Sequence, residues 1–353
     1  MKDDLAQKLL ANIMKWDSVD LTKERFRIQL FANLKYDDYQ KYSQGMRYVE
    51  SLALWLKNFD PEDRETLYNF IKEKLIFISE EQMHNLVETA YPLYIVPILI
   101  KKAKTSTING ERCITKNRNS FKEIVDNTCF LGLSDGSHID IFRRANHELS
   151  NENISVYYDL SEKRIKKMFE SSNGEHNDKT VFLLDDFSGS GISFIRREND
   201  EWEGKTVKFM DRLKSSGIFV HNIDIFILLY VSTRNAINYI NDQLKIFAKE
   251  KGIRKNLSAV SIQIIKPIEV SDDFDTLLKK YYDKYSMNVI KDNHFNKGNT
   301  KKPYTGFDGG KLPLVLYHNT PNNSFPVIWF EKDDISLKFR GLFPRVTRHK
   351  GEL

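Results

Sequence analysis

The stretch KTVFLLDDFSGSGISF, residues 179–194, joins an apolar run to two adjacent acids and a loop of serine and glycine. An apolar run that has β-branched residues at its start and stops at turn residues is typical of a buried strand in a parallel sheet. Asp185 and Asp186 then lie at the carboxyl end of that strand. Because parallel α/β sheets bind ligands at this edge, we expect functional side chains here.

The rest of the chain predicts an α/β fold with a mostly parallel sheet, preceded by a helical region. Up to about residue 104, apolar residues recur at the three- and four-residue spacing of helices. Beyond residue 120, short apolar runs alternate with helical segments, which indicates right-handed βαβ units. The predicted strands are NTCFLGL, ISVYY, TVFLLDD, IDIFILLYV and AVSIQII. The predicted domains are an all-helical N-terminal region 1–104, a connection 105–120 and an α/β domain 121–353.

Composition narrows the class of protein. The 353 residues carry 54 Lys and Arg against 49 Asp and Glu, a mild excess that permits contact with phosphates or nucleic acid without requiring it. The two cysteines, Cys113 and Cys129, form no CxxC motif, which argues against a disulfide framework or a zinc site. The first residues lack the pattern of a signal peptide, and the most apolar window, YPLYIVPILI, is too short to span a bilayer. We therefore expect a cytoplasmic protein without membrane contact.

The loop SGSGIS, residues 188–193, predicts an anion site. If this loop opens a helix, successive backbone amides point at one anion, and the serine hydroxyls add donors. The loop lacks both the lysine of a Walker P-loop and the GxGxxG spacing. Two acids before such a loop suit a phosphorylated sugar, because carboxylates accept from sugar hydroxyls while the loop holds the phosphate. The alternative is a capped turn with no ligand.

The segment VFLLDDFSGSGIS, residues 181–193, resembles the phosphoribosyl-pyrophosphate motif of type I phosphoribosyltransferases. That motif has four apolar residues, two acids, three variable residues and then Thr/Ser-Gly-x-Thr/Ser. The resemblance implies a sheet of the kind found in that family. It also implies that Asp185 and Asp186 bind the ribose hydroxyls. Some base-specific members have an Asp at the position of Gly189, so their acid–base step is not carried over. The implied 5′-phosphate residues are Ser188, Gly189, Ser190, Gly191 and Ser193.

Two further segments fit the same family. CFLGLSDGSHIDIFRRAN, residues 129–146, is predicted as a strand, a turn and a helix, where the family places its pyrophosphate-binding loop. The alternative is an ordinary Asp-Gly turn. Residues 159–179 contain the basic run EKRIKK, as expected of a mobile hood, although such a charge run is also typical of a solvated helix face. The implied pyrophosphate residues are Ser134, Asp135, Gly136 and Ser137, and the hood candidates are Lys163, Arg164, Lys166 and Lys167.

The C-terminal stretch LPLVLYHNTPNNSFPVIWF, residues 312–330, allows two interpretations. It forms either a structural hairpin or, within segment 301–353, a lid or acceptor region in which polar side chains bind a base edge and an aromatic ring stacks on it. With the helical N-terminus, this ending resembles phosphoribosyltransferase-like proteins of prokaryotic conflict systems, including antiviral defence operons and retrons. The acceptor candidates are His318, Asn319, Asn322, Asn323 and Trp329.

Three functions remain open. The first is an enzyme that loses pyrophosphate from a phosphoribosyl donor, in the conflict-system setting a toxic effector. The resemblance implies that Mg²⁺ takes part. Asp185 and Asp186 would contact the ion only indirectly, through the ribose. The second is a module that senses phosphoribosyl pyrophosphate or a nucleotide without reaction. The third is a nucleic-acid-binding assembly subunit, for which the retron resemblance suggests a reverse transcriptase, nucleic acid or another defence-complex component as partner.

Overall fold

The structure is a computed structural model of the chain. It describes residues 2–105, 107–108, 111–112, 118–158, 160–169, 179–218, 220–290, 295, 298, 300–334 and 337–346. By contacts, the chain divides into two compact units, one formed by Met1–Gln82 with Lys266–Leu353 and the other by Met83–Ile265. The predicted domains divide the chain elsewhere and remain a prediction. The predicted connection 105–120 falls partly outside the described residues.

Helices and strands alternate through the second unit, whereas helices dominate the start of the first. The helices are α1 Asp3–Met14, α2 Ser18–Leu34, α3 Tyr48–Leu56, α4 Arg64–Lys74, α5 Glu80–Thr89, α6 Val96–Thr105, α7 Arg118–Asp126, α8 Ile139–Ala145, α9 Glu162–Phe169, α10 Lys205–Ser215, α11 Arg234–Lys251, α12 Asp272–Lys284 and α13 Pro326–Trp329. The strands are β1 Ile76–Ile78, β2 Thr107–Ile108, β3 Glu111–Arg112, β4 Thr128–Gly132, β5 Ile154–Val156, β6 Lys179–Ser188, β7 Arg196–Glu198, β8 Glu201–Glu203, β9 Ile223–Thr233, β10 Leu257–Ile265, β11 Leu314–Leu316, β12 Lys332–Asp333 and β13 Lys338–Phe339.

A five-stranded parallel sheet organises the described part of the second unit. Its order is β10–β9–β6–β4–β5, and every neighbouring pair is parallel. The chain passes from β4 outward to β5, then crosses back to β6 on the other side of β4. This reversal is a topological switch point, and ligands bind in the crevice that it leaves at the carboxyl ends of the strands. The predicted parallel α/β sheet is confirmed.

Both faces of this sheet are buried, which explains the continuous apolar runs of its strands. On one face, Leu183 and Ile227 belong to a cluster of fully buried side chains that includes Leu213 of α10 and Ile240 of α11. On the other face, aromatic rings stack across three strands. Phe182 lies between Phe130 and Phe226, with ring centroids 5.8 and 5.2 Å apart.

The first unit contains short strands as well as helices. β1 interrupts the otherwise helical N-terminal region and pairs in parallel with β11. In the C-terminal stretch 312–330, β11 is followed by α13 rather than by a second strand, because Pro326 starts a helical turn. The indole of Trp55 donates to the carbonyl of Val327 at 2.7 Å within the core of this unit. Among the described residues, none of the helices is both long and apolar enough to cross a bilayer.

Candidate active site at the sheet switch point

The loops that follow β4 and β6 flank the switch point, and they carry the predicted pyrophosphate and sugar-phosphate residues. Because β4 and β6 are neighbours in register, with Gly132 opposite Leu184, their carboxyl ends open at the same level. Asp185 and Asp186 follow Leu184 directly within β6. The structure therefore brings the two predicted loops and the acid pair together at one edge of the sheet.

Asp185 is fully buried, and both of its carboxylate oxygens accept hydrogen bonds. The hydroxyl of Ser134 donates to Oδ1, and the ammonium group of Lys205 donates to Oδ2. Ser134 belongs to the loop after β4, whereas Lys205 is the first residue of α10. Asp185 thus ties three separate segments to each other.

Opposing influences act on the titration of Asp185. Burial raises the pKa of its carboxyl above the ordinary value, and the charge of Asp186 adds to the rise. Lys205 and Ser134 act in the opposite direction, since they stabilise the ionised form. Lys205 and Ser134 therefore favour the ionised carboxylate against the effect of burial.

Asp186 is partly exposed and lies against the loop after β4. Its Oδ1 accepts from the backbone amide of Phe187 at 2.8 Å. A Cβ atom placed on Gly136 would meet Asp186 Oδ2 at 2.4 Å and Cγ at 2.8 Å. Only glycine therefore fits at residue 136 while Asp186 keeps this position.

The Ser188–Ser193 loop is held by hydrogen bonds from within and from α11. The amide of Gly191 donates to the hydroxyl of Ser188 at 3.1 Å. Thr233 caps α11, accepting from Ala236 N at 3.0 Å, and its hydroxyl donates to the carbonyl of Gly189 at 2.7 Å. These bonds place the loop, with its partly exposed Ser190, beside the acid pair.

The loop differs in one respect from the sequence expectation, because no helix opens at its end. The chain makes a turn that closes with Phe194 N donating to Gly191 O at 2.9 Å. It then forms the antiparallel pair β7–β8, and the next helix starts only at Lys205. The intervening charged residues 196–203 form this hairpin, so the amides available to an anion are those of the loop itself.

The loop after β4 contains a single 3₁₀ turn, Asp135–Ser137, followed by the short helix α8. The hydroxyl of Tyr230, on β9, donates to the carbonyl of Ser137 at 2.8 Å. The hydroxyl of Tyr158 donates to Asp135. Gly132 makes room for the buried Ser137 side chain, since a Cβ there would lie 2.3 Å from its Oγ. The backbone of the predicted pyrophosphate loop is thereby held in place.

Three residues of this site were not predicted from the sequence: Lys205, Tyr230 and Thr233. Tyr230 and Thr233 lie at the end of β9, which pairs with β6. Their position at the carboxyl end of a predicted strand could have marked them as site residues. Lys205 follows the β7–β8 hairpin, which the sequence could have indicated by Asn199-Asp200 between two short charged runs. Asn199 and Asp200 have positive φ, 49° and 64°, as the turns of two-residue hairpins require.

The family model named PRTase-CE matches residues 52–345, which is most of the chain. The chain belongs to the PRTase-CE family. It is accordingly a phosphoribosyltransferase-like protein, as the motif in residues 181–193 predicts. A comparison with curated proteins found no match.

In this PRTase-CE chain, the predicted hood is described only in part, since residues 159 and 170–178 lie outside the described residues. Its described portion includes α9, where Lys166 pairs with Glu162 at 3.1 Å and Lys167 pairs with Glu152 at 2.9 Å. These exposed pairs agree with a solvated helix face, and a role in charge neutralisation stays a prediction.

The predicted acceptor residues of the PRTase-CE chain belong to the first unit, whereas the two loops belong to the second. Several of their polar groups bind backbone within their own unit. Asn319 Nδ2 donates to Val346 O, Asn323 Nδ2 to Phe307 O and Trp329 Nε1 to Ser324 O, each at 3.0 Å. The carbonyl of Asn322 accepts from Phe307 N, and His318 packs edge-on against the Tyr317 ring. Such contacts fit a structural turn, and the acceptor role stays a prediction.

Within the described residues, no group of three or more His, Cys, Asp or Glu side chains is placed to hold a metal ion. Asp185 is buried, and its two carboxylate oxygens accept from Ser134 and Lys205. The residues of the site fit Mg²⁺ only if the ion is held by the phosphates and hydroxyls of a bound ligand, as the family resemblance implies.

Proposed function

We propose that this protein binds 5-phosphoribosyl pyrophosphate and transfers its phosphoribosyl group. The observation that carries the proposal is the closeness of Gly136 and Asp186, since a Cβ atom on Gly136 would meet the Asp186 carboxylate. It supports a site in which the acid predicted to bind the sugar is next to the loop predicted to bind pyrophosphate. In phosphoribosyl pyrophosphate, the pyrophosphate is bonded directly to the ribose. One bound molecule could therefore contact both Asp186 and the loop after β4. The family membership supports the same chemistry.

The roles follow from burial and hydrogen bonding. Asp186, which is partly exposed, accepts from the ribose hydroxyls, whereas the buried Asp185 organises the site through Ser134 and Lys205. The Ser188–Ser193 loop holds the 5′-phosphate, and the amides of Asp135 and Gly136 hold the pyrophosphate, since the amide of Ser137 donates to the carbonyl of Ser134. Mg²⁺ held by the bound donor would supply charge neutralisation for the leaving pyrophosphate.

The reaction breaks the bond between the anomeric carbon and pyrophosphate, and a nucleophile forms the new bond at that carbon. Positive charge develops on the sugar in the transition state, so carboxylates near the ribose stabilise it electrostatically. The protein contributes to catalysis by positioning the donor and by surrounding the positive charge that develops on the sugar.

Titration calorimetry with phosphoribosyl pyrophosphate and Mg²⁺ tests the binding step, and release of pyrophosphate tests the reaction. We expect the wild-type protein to bind and Asp186→Asn to lose most of its affinity. Binding that Asp186→Asn leaves unchanged contradicts the proposed site.

A second candidate is a sensor that keeps the pocket without the reaction. Gly189 stands where some base-specific members have an acid, which favours this alternative. A sensor binds the donor but releases no pyrophosphate with any acceptor, so the two assays above separate the candidates.

The proposed setting is antiviral defence, with the protein as a toxic effector in a retron or a similar operon. The resemblance of the helical N-terminus, the motif loop and the C-terminal segment to such proteins supports it. Induced expression in bacteria tests this setting: growth arrest by the wild type and normal growth with Asp186→Asn are expected. Equal toxicity of both would mean that any toxicity does not come from this site. Co-purification from such cells tests for a reverse transcriptase or nucleic acid as partner.

A further inference from the structure

The hairpin β7–β8 follows the motif loop directly and is firmly anchored. Arg196 and Glu203 face each other across the hairpin and form an ion pair. Near the end of α11, Glu250 accepts from Arg197 at 3.0 Å and from the indole of Trp202 at 2.7 Å. The Trp202 ring also packs edge-on against Phe247, 5.4 Å between centroids. The hairpin is therefore an ordered element.

The end of the hairpin places Lys205 beside the motif loop. Gly204 has φ 120°, and a Cβ there would lie 2.5 Å from the carbonyl oxygen of Phe194. The next amide, that of Lys205, donates to the carbonyl of Ser193 at 3.0 Å. The close approach at Gly204 thus fixes the backbone of Lys205 against the last serine of the loop.

The side chain of Lys205 then returns to the acid pair. Its ammonium group lies 5.1 Å from the centre of the buried Phe194 ring and donates to Asp185. The Lys205 side chain is 35% exposed, whereas that of Asp185 is fully buried. One end of this ion pair is therefore accessible from solvent at the edge of the proposed donor site.

This arrangement changes the charge of the site. Two adjacent carboxylates repel an anionic ligand and need a counter-charge, which a divalent metal ion often supplies. Here Lys205 supplies a fixed positive charge, so the acid pair and the lysine together carry one negative charge instead of two. An ammonium group is also a donor for phosphate and hydroxyl oxygens.

We propose that Lys205 is a donor-binding residue, delivered by the hairpin, whose ammonium group replaces part of the charge of the metal ion. The protein then binds its sugar-phosphate ligand with only a weak dependence on Mg²⁺. This inference rests on the proposed function, since it concerns the same site.

Calorimetric titration with phosphoribosyl pyrophosphate, in EDTA and in millimolar Mg²⁺, tests it on three proteins: wild type, Lys205→Met and Lys205→Arg. We expect the wild type to bind in both conditions with less than about a tenfold difference in Kd. Lys205→Met should lose about 10- to 100-fold in EDTA and less in Mg²⁺, because a charge-assisted contact is removed. Lys205→Arg should keep its affinity in EDTA, because the charge remains.

The outcomes separate the two proposals. A wild type that binds only with Mg²⁺, or a Lys205→Met variant as tight as the wild type in EDTA, overturns the role of Lys205 and leaves the proposed function intact. A wild type that binds in neither condition contradicts the proposed function itself.

A comparison of Asp185→Asn with Asp185→Asn/Lys205→Met distinguishes direct contact from mere support of Asp185. Neither protein carries the buried aspartate, so the comparison also serves if Lys205→Met alone fails to fold. We expect the double variant to bind at least about tenfold more weakly than Asp185→Asn in EDTA. Equal affinities would show that Lys205 acts only through Asp185, which overturns the proposal.

Discussion

Gly136 and Asp186 come from different loops, yet a methyl group on residue 136 would lie 2.4 Å from the carboxylate oxygen of residue 186. No ordinary van der Waals contact is that short, so a side chain at residue 136 and the present position of Asp186 exclude each other. The loop after β4 and Asp186 are therefore mutually adjusted parts of the proposed site.

This contact predicts the behaviour of Gly136→Ala. The added methyl group displaces the Asp186 carboxylate, and we expect affinity for phosphoribosyl pyrophosphate to fall by about tenfold or more, as after loss of a charge-assisted contact. A matched control is Gly252→Ala, at a helix end with φ 67° and no atom within 4 Å of the new Cβ. That control strains the backbone by about 1–2 kcal/mol without touching the site. Calorimetry and thermal unfolding of both variants check this, and equal losses of affinity would contradict it.

Asp186→Asn should bind poorly while it folds normally. Asp186 is partly exposed, so the neutral amide leaves no buried charge uncompensated. Loss of the charged acceptor should weaken donor binding by about 10- to 100-fold. The control is Asp242→Asn, whose side chain is 68% exposed on α11. A parallel titration of the two variants decides the matter, and a full-affinity Asp186→Asn protein would exclude the residue from the ribose contact.

Lys205→Met should make stability depend on pH in a definite direction. Burial raises the pKa of Asp185, and without Lys205 the pKa rises further. An acid with a raised folded pKa contributes stability below that pKa and loses it as pH rises through it. The variant should therefore resemble the wild type at acid pH and be less stable near neutral pH. The deficit should be about 2 kcal/mol, between the values for exposed and fully buried pairs, since Lys205 is 35% exposed.

Urea unfolding at a series of pH values measures this deficit, with Asp185→Asn/Lys205→Met as the control. The double variant has no buried carboxylate at residue 185, so its stability relative to the wild type should not fall through that pH range in the same way. A deficit of Lys205→Met that is constant with pH would mean that Asp185 does not depend on Lys205 for its charge.

Tyr230→Phe and Thr233→Val should affect different loops, the first the loop after β4 and the second the loop after β6. Each variant serves as the control for the other. Tyr230 holds the carbonyl of Ser137, and Thr233 holds the carbonyl of Gly189. Tyr230→Phe removes one hydrogen bond, worth about 1 kcal/mol. Thr233→Val removes two, the bond to Gly189 and the N-cap bond from Ala236, so it should also cost about 1 kcal/mol of helix stability. Binding of pyrophosphate should weaken mainly in Tyr230→Phe, and binding of ribose 5-phosphate mainly in Thr233→Val. A common loss of both ligands in both variants would contradict separate loops.

The sheet and the motif loop were predictable from the sequence because their signals are local. The buried strands have continuous apolar runs, and the acids and glycines of residues 185–191 follow one of those runs without a gap. The position of β1 was harder to predict. It has three residues, and its partner β11 is more than 200 residues away, so no local pattern marks the pairing.

The network around Asp185 was not predictable, because it depends on distant residues. Ser134 and Lys205 meet Asp185 only after strands β4 and β6 pair and the β7–β8 hairpin turns the chain back. Sequence alone identifies an acid pair and predicts the same role for both members. Burial distinguishes them, since Asp185 lies inside the protein and Asp186 remains partly exposed.

The helix α11 is attached to the site at both of its ends. Thr233 at its start bonds the motif loop, and Glu250 in its last turn bonds the hairpin that carries Lys205. Its 18 residues span about 27 Å, and removal of one residue would rotate everything beyond it by about 100°. Both attachments then cannot persist together. Natural relatives that retain Lys205 should therefore accept substitutions on the outer face of α11 but not insertions or deletions, because the length of this helix sets the spacing between the motif loop and the hairpin.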